Sequence, residues 1–574
     1  MNAGALVHDE ADARHEVARD TLQGDPAPHS GPFERWLLTH LNALALAVVG
    51  AGFALRLIVA TRSYLNPDEA LHYLLLNQSS LLLAYKASLT NAHPPLIYFV
   101  LYFWHFLGRS EWMLRLPSVF AGTAFCWLFF KWVGLAFGRA ASWMALILAT
   151  FSPAMIALSA ELRAYALLLF CIAGALYFLE RSLALQSVRD MCCFSAFLYL
   201  AILTHYSTVF FAVAVGVYSL ARIADAHLPR RLSMAWAAGQ AGALAIYALL
   251  YVTHVSKIKQ DEMATWKSPF EKNFFHFGSG HVLAFTRVQT SDIFVFLFEN
   301  DYVSRALLLV FIAGVALLFI RKFVSHRHSP RSWPLGVLLL LPFIAVWGAA
   351  VAGKYPYIGG RHTVFLAPFM IAGVSYLLAT ALAGRFWAVF LFAGLIAGAA
   401  CTSGKTFEPY IKPENQNRAL MSDAMNHILQ TVPRGDLIFE DYQSSLPLAY
   451  YLCGPDVIMP IATLSGGDFE FACAGYSIFT QRTWKLVQQD FPSRFEQMAH
   501  SRGLKPGDRV WVFQSGWSAN LDTELPWFNM KFRCLAPVSF GENITVIPFV
   551  VGTDMSPALP PGSLHLNTLM RCSN

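Results

Sequence analysis

Charged side chains are scarce in this chain. They make up 14% of its 574 residues, while 56% are hydrophobic and the mean hydropathy is +0.45. Soluble domains carry about 25% charged residues, so a wholly water-soluble fold is excluded. No long run of one sign of charge occurs, and the net charge of +6 is spread over short loops. That argues against nucleic acid as a partner. No internal repeat is visible, and the polar, Pro/Gly-punctuated segment before about residue 32 lacks the apolar core and small-residue cleavage site of a secretory leader. Residues 1–40 are therefore expected to be a cytoplasmic, disordered tail, and the first span to act as the insertion signal.

Apolar runs supply the rest of the architecture. Runs of about 18 or more apolar residues read as membrane spans. Eleven are expected, at about 41–60, 116–137, 141–159, 164–181, 191–204, 207–222, 234–253, 303–320, 333–353, 364–382 and 386–402. Alternation places Lys131, Arg139, Arg181, Arg189, Arg230, Arg231, Arg321, Lys322 and Arg385 on one side. Short basic loops mark the cytoplasm, so the N-terminus is expected inside and everything after Cys401 outside. The apolar stretch HPPLIYFVLYFWHFLG (93–108) would invert that parity if it crossed. It is expected instead as an interfacial helix in the first outer loop, 61–115, with Tyr102, Trp104 and His105 at headgroup level.

With this parity the ionisable residues collect outside. NPDEALHY (66–73) follows the first span, and Asn66, Pro67 and the acids Asp68 and Glu69 suit a helix N-terminus. The same two carboxylates could deprotonate a hydroxyl or hold a divalent cation. His93 opens the HPPL motif, Arg115 lies at the mouth of the second span, and Arg56 lies within the first. Boundary arginines commonly snorkel; one deeper in the bilayer is expected to be paired. The turn SAELRAY brings Glu161, Arg163 and Tyr165 together, with Glu161 and Tyr165 one turn apart if helical. His205 ends a span, and KYPYIGGRH adds Lys354 and Arg361 beside a glycine pair, cations suited to phosphate oxygens.

In order and spacing these motifs resemble the GT-C superfamily of membrane glycosyltransferases, and within it glycosyltransferase family 39, the protein mannosyltransferase and aminoarabinose transferase group. The likeness covers about residues 41–370 and rests on Asp68-Glu69, HPPL at 93–96, RLPS at 115–118 and ELRAY at 161–165. It implies a polytopic α-helical membrane protein of the GT-C fold, with about eleven transmembrane helices. It also implies transfer of a sugar from a polyprenyl-phosphate carrier to a lipid, glycan or protein acceptor on the extracytoplasmic face, with inversion. Asp68 corresponds to the catalytic base, Glu69 to the second position of the pair and Glu161 to the second acidic position. Arg115 corresponds to the arginine that meets the lipid phosphate. His93 stands where the family has a cation, and Ala92 where it has an acid. Arg163, Tyr165, His205, Lys354 and Arg361 complete the expected substrate-binding set. Whether Asp68, Glu69 and Glu161 hold a divalent cation is left open, as are donor sugar and acceptor. The resemblance further implies a bacterial inner membrane location.

From about 403 to 574 the composition becomes that of a soluble domain, and DLIFEDYQSSLPLAYYL and RVWVFQSGW read as buried strands beside helices. An extracytoplasmic α/β domain is expected, with disulfides among Cys453, Cys473, Cys534 and Cys572. Cys473 with Cys534 is one candidate pairing. The other readings of the whole chain are a transporter or flippase of lipid-linked sugar, disfavoured by the lack of repeats and midplane polar residues, and a non-catalytic membrane scaffold.

Overall fold

The computed structural model describes residues 32–226, 229–257, 268–278, 281–324, 332–383, 385–402, 417–464, 468–481, 498–516, 532–541 and 544–552. In chain order the helices are α1 (Pro32–Arg62), α2 (Pro67–Leu76), α3 (Leu81–Ser88), α4 (Leu96–Trp104), α5 (Glu111–Phe137), α6 (Arg139–Phe151), α7 (Pro153–Ser159) and α8 (Tyr165–Leu185). There follow α9 (Val188–Thr204), α10 (Thr208–Ala226), α11 (Arg230–Thr253), α12 (Val282–Phe298), α13 (Asp301–Val324), α14 (Ser332–Val351), α15 (Ala367–Ala381) and α16 (Phe386–Thr402). The C-terminal part adds α17 (Arg418–Thr431), α18 (Tyr442–Leu452) and α19 (Ile461–Leu464). Two compact units divide the chain. One is Met1–Ile58, His93–Ile97 and Leu116–Phe407; the other is Val59–Ala92, Tyr98–Arg115 and Glu408–Asn574.

Among its described residues, the regular elements of the first unit are all helices. Among the described residues eight helices are long and apolar enough to cross a membrane, or nine if the bent pair α6 and α7 is one span. With the 17-residue α9 and α16, every range expected as a span is mainly helical, although 141–159 is two helices rather than one and 364–382 opens in a 3-10 turn. The helix α12 was not expected from the sequence, because its apolar run is interrupted by Arg287, Gln289 and Asp292. The 59° bend between α6 and α7 has a local cause. Pro153 has no N–H to continue the ladder, and Ser152 starts a new helix by accepting from the Met155 N–H at 3.4 Å. Arg56 lies fully buried beside this break, donating to the carbonyls of Gly52 (3.0 Å), Thr150 (3.2 Å) and Ala149 (3.5 Å). The deep arginine is thus paired with backbone carbonyls at a helix end. Across α9 and α11 the Tyr199 hydroxyl donates to the Gly239 carbonyl at 2.9 Å.

The second unit is built on a seven-stranded sheet of β1 (Leu437–Asp441), β2 (Phe469–Cys473), β3 (Tyr476–Gln481), β4 (Arg509–Ser515), β5 (Phe532–Cys534), β6 (Val538–Ser539) and β7 (Ile544–Val551). Its order is β2-β3-β1-β4-β7-β5, with β6 beside β7. The central β3, β1 and β4 run parallel, and β2 and β7 flank them antiparallel. Successive residues of a strand point to opposite faces. Leu437, Phe439, Val510 and Val512 therefore pack with Met498 and Ala499, while Ile438, Trp511 and Phe513 pack with Met421, Ala424 and Ile428 of α17 and Leu448 of α18. Both faces being covered explains why β1 reads as an unbroken run rather than an alternation. Tyr64, from the segment just after α1, belongs to the second of these cores. The segment expected as the first outer loop is therefore partly built into the core of the C-terminal domain.

Two expectations are corrected here. Cys473 is disulfide-bonded to Cys453 and not to Cys534, because β2 returns beside the C-terminus of α18. In the apolar segment α4 and its 3-10 extension, the exposed residues are Val100, Phe103, Phe106 and Leu107, whereas His105 is buried and the Trp104 indole donates to the Met113 carbonyl at 2.8 Å. The apolar face is outward and the polar rings are turned in, which suits a helix lying in lipid.

Candidate active site

The NPDE motif forms the N-terminus that its residues suggest. Asn66 caps α2: its side-chain oxygen accepts from the Glu69 N–H at 3.0 Å, while a Glu69 carboxylate oxygen accepts from the Asn66 N–H at 3.1 Å. This reciprocal box satisfies two donors that a helix start leaves bare. Pro67 takes the first helical position, where no N–H is needed. His72, one turn on, donates through Nδ1 to the Asp68 carbonyl at 2.7 Å and stacks on Tyr98 with ring centroids 5.3 Å apart.

Arg115 and Glu69 face each other fully buried. Arg115 Nε donates to Glu69 Oε1 and Nη2 to Oε2, both at 2.7 Å, a two-pronged carboxylate grip. Nη1 donates to the carbonyls of Ala60 (2.9 Å) and Ser63 (2.7 Å), and Nη2 also to Tyr64 (2.7 Å). A guanidinium has five N–H donors, and all five are engaged. Arg115 was expected to meet a lipid phosphate and Glu69 to share the base role; in this structure each has its polar atoms committed to holding the turn between α1 and α2. Asp68 is half-buried on the same helix turn, and none of the Arg115 donors goes to it.

A second group lies in the first unit. The expected helical pairing of Glu161 with Tyr165 does not form, because residues 160–164 make a non-helical turn before α8 begins at Tyr165. In that turn the Arg163 N–H donates to the Glu161 carbonyl at 2.9 Å, and the Arg163 carbonyl accepts from the Ser118 hydroxyl at 3.3 Å. Arg163 Nη2 donates to the Tyr165 hydroxyl at 3.2 Å, with the guanidinium carbon 5.4 Å from the ring centre. His205 packs between Tyr165 (5.6 Å) and His93 (5.2 Å), and its Nδ1 lies 2.8 Å from the Ser207 hydroxyl. Burial, and then the Arg163 cation, push the His205 pKa down to about 4. It is therefore a neutral ring at physiological pH and no phosphate-binding cation. Glu161 and Arg163 are buried, and His93 is half-buried.

The remaining cations sit on the segment between α14 and α15. Lys354 is exposed, and Arg361 opens a 3-10 turn over Arg361–Leu366. The Tyr355 hydroxyl spans this segment to the His362 carbonyl at 2.8 Å. The glycine pair there serves a close approach: a Cβ on Gly359 would lie 2.2 Å from the Asp292 carbonyl oxygen. Thus Asp68, Glu69 and Arg115 are gathered in one unit, and His93, Arg163, Tyr165 and His205 in the other. His72 and Ser118, which lie within NPDEALHY and RLPS but were given no role from the sequence, join these groups; the spacing of His72 four residues after Asp68 was the available signal. Among the described residues, no group of three or more His, Cys, Asp or Glu side chains could hold a metal ion. The two Glu69 oxygens, one suggested source of ligands, are engaged by Arg115.

Comparison with known proteins agrees with this architecture. Residues 92–251 match the family model described as dolichyl-phosphate-mannose-protein mannosyltransferase. No curated protein matches the chain. Among solved structures, ArnT from Cupriavidus metallidurans bound to undecaprenyl phosphate is similar over 91% of this chain and 99% of that one, at 14% identity and a TM-score of 0.50. The oligosaccharyltransferase of Archaeoglobus fulgidus is similar over 89% of this chain and 74% of that one, at 11% identity and a TM-score of 0.45. The chain has the GT-C fold, with a polytopic helical membrane part and a C-terminal α/β domain.

Proposed function

We propose that this GT-C-fold protein is a glycosyltransferase that moves a sugar from a polyprenyl-phosphate carrier to a hydroxyl of a lipid, glycan or protein acceptor, on the extracytoplasmic face of the membrane. The observation that carries the reading is the saturated Glu69–Arg115 pair beside Asp68 on a capped helix. One carboxylate is held by a fully engaged arginine, and its neighbour stands half-buried on the same turn. The match of residues 92–251 to a family defined by a lipid-phosphate sugar donor supports the same substrate class, as does a fold shared with a protein crystallised with undecaprenyl phosphate.

In this mechanism Asp68 takes the proton of the acceptor hydroxyl as its oxygen attacks the anomeric carbon. The bond from that carbon to the carrier phosphate breaks, polyprenyl phosphate leaves with its electron pair, and in-line displacement inverts the centre. Fixed positive charge stabilises the leaving phosphate most where water is sparse. Arg163, Lys354 and Arg361 are the candidate cations and His93 a candidate hydrogen-bond donor to the phosphate, with Tyr165 orienting Arg163. Glu69 and Arg115, gripping each other, position Asp68. Neutral His205 packs behind His93 and Tyr165.

The proposed side of the membrane follows from the basic short loops. Cysteine accessibility at positions 68 and 161 tests it, both being reached by a membrane-impermeant reagent from outside. Transfer by the purified protein from the host's lipid-linked sugar fraction tests the activity. Asp68→Asn is expected to lower transfer by about 10²–10⁴-fold, the range for loss of a general base, while leaving undecaprenyl phosphate binding in place. Transport of the intact lipid-linked sugar without cleavage would instead favour a flippase.

A further inference from the structure

The helix bearing Asp68 is anchored at its N-terminus by a side chain of the C-terminal domain. We infer that Tyr451 is a positioning residue for the transfer reaction, holding the Tyr64–Asn66 backbone in place so that Asp68 keeps its aim. The inference rests on the reading of Asp68 as the base.

Four residues, Ser63 to Asn66, join α1 to α2, and the last three are each held by a different partner. The Tyr64 carbonyl accepts from Arg115 Nη2 at 2.7 Å, and the Asn66 N–H donates to Glu69 at 3.1 Å. Between them the Leu65 N–H donates to the Tyr451 hydroxyl at 2.8 Å. That hydroxyl in turn donates to Glu111 Oε1 at 3.1 Å, and the same carboxylate oxygen accepts from Arg418 Nε at 3.0 Å. One hydroxyl therefore uses both its acceptor and its donor capacity, tying the α1–α2 turn to the start of α5 and to α17.

The same helix is pinned further along by the chain that follows α18. The Tyr73 hydroxyl donates to the Pro455 carbonyl, Asn77 Nδ2 donates to Val457 at 2.8 Å, and Gln78 Nε2 donates to Met459 at 3.1 Å. At the N-terminus the approach is also tight: Gly516, with φ +71°, has no room for a Cβ, which would lie 2.7 Å from Pro67 Cγ. With the C-terminal end of α2 held by the segment after α18, Tyr451 acts at the opposite end, on the turn that leads to Asp68. Leu65 is fully buried. Removing the hydroxyl leaves a buried N–H without its partner, and such a group pulls its peptide toward water or another acceptor. A displacement of about 1 Å at a reacting group is enough to cost about 10²-fold in rate.

The test uses full-length protein in lipid nanodiscs. Hydrogen exchange is read over residues 60–70, binding is probed with undecaprenyl phosphate alone, and transfer is measured with the host's lipid-linked sugar fraction. Tyr451→Phe is expected to speed exchange at residues 63–68 by about tenfold, the loss of one buried hydrogen bond. It is expected to lower kcat by about 10–100-fold, with KM and undecaprenyl phosphate affinity within about twofold of the parent. Tyr450→Phe is the control, since that hydroxyl donates to the Arg109 carbonyl at 2.7 Å and not to the α1–α2 turn; it leaves exchange and kcat unchanged. Placing 4-aminophenylalanine at 451, whose nitrogen can accept and donate, restores the rate and covers the case in which the phenylalanine variant folds poorly. Unchanged exchange at 63–68, unchanged kcat, or a parallel loss of carrier affinity and kcat overturns the inference. If Asp68→Asn retains transfer, the base reading fails, while the exchange result still judges the anchor on its own.

Discussion

Breaking the Glu69–Arg115 pair one side at a time is the most informative perturbation of this site. In Arg115→Met the Glu69 carboxylate stays fully buried without its cation, and the carbonyls of Ala60, Ser63 and Tyr64 lose three donors between them. Stranding a buried charge costs about 3–5 kcal/mol, and each unsatisfied buried carbonyl adds about 1 kcal/mol or more. Against a domain stability of about 5–15 kcal/mol, this is enough to unfold the α1–α2 turn locally. In Glu69→Gln the reverse holds: a guanidinium remains buried with no anion, although the amide oxygen can still cap Asn66. The double variant Arg115→Met with Glu69→Gln removes both charges, so its loss should fall short of the sum of the two single losses by about 2–4 kcal/mol. Thermal and denaturant unfolding of the purified protein, together with exchange at residues 59–76, measure the cycle. Additivity within about 0.5 kcal/mol, or an Arg115→Met variant as stable as the parent, would refute the claim that the pair holds the turn.

Other consequences can be tested separately. His205 has its folded pKa lowered from 6.5 to about 4, so the unfolded chain binds the extra proton first. The stability this contributes is present above about pH 6.5 and is lost as pH falls toward about 4, a change on the order of 3 kcal/mol. His205→Phe, which keeps a ring between His93 and Tyr165, should flatten that part of the Tm–pH curve relative to the parent; an unchanged curve would show that His205 is solvated. The Cys453–Cys473 disulfide closes a separation of 20 residues, worth about 3 kcal/mol by chain entropy. Replacing both by serine should lower the unfolding free energy of the C-terminal domain by about that amount, and mass mapping without reductant should recover the 453–473 cross-link and no 473–534 one.

Much of this molecule can be read from local sequence. The spans show because lipid demands long apolar runs whatever their neighbours are, and the cap at NPDE shows because Asn66, Pro67 and Glu69 satisfy one another within a single turn. The break at Ser152-Pro153 has an equally local cause, although 141–159 was expected as one unbroken span. The strands DLIFED and RVWVFQS show because both sheet faces are covered. What could not be read is which distant groups meet. Arg115 reaches Glu69 across 46 positions, Tyr451 reaches Leu65 across 386, and Cys473 selects Cys453. Motif spacing marked Arg115 as a cation for phosphate, and only the tertiary structure turned it inward. A side chain's type sets how many hydrogen bonds it must make when buried, but the packing of remote segments decides with whom. The sequence by itself determined the long apolar helices and the capped turn that carries Asp68, but not α12 or the non-helical turn at 160–164. The tertiary structure decided that Glu69 and Arg115 neutralise each other, because two opposite charges buried at contact satisfy each other better than either satisfies a distant ligand.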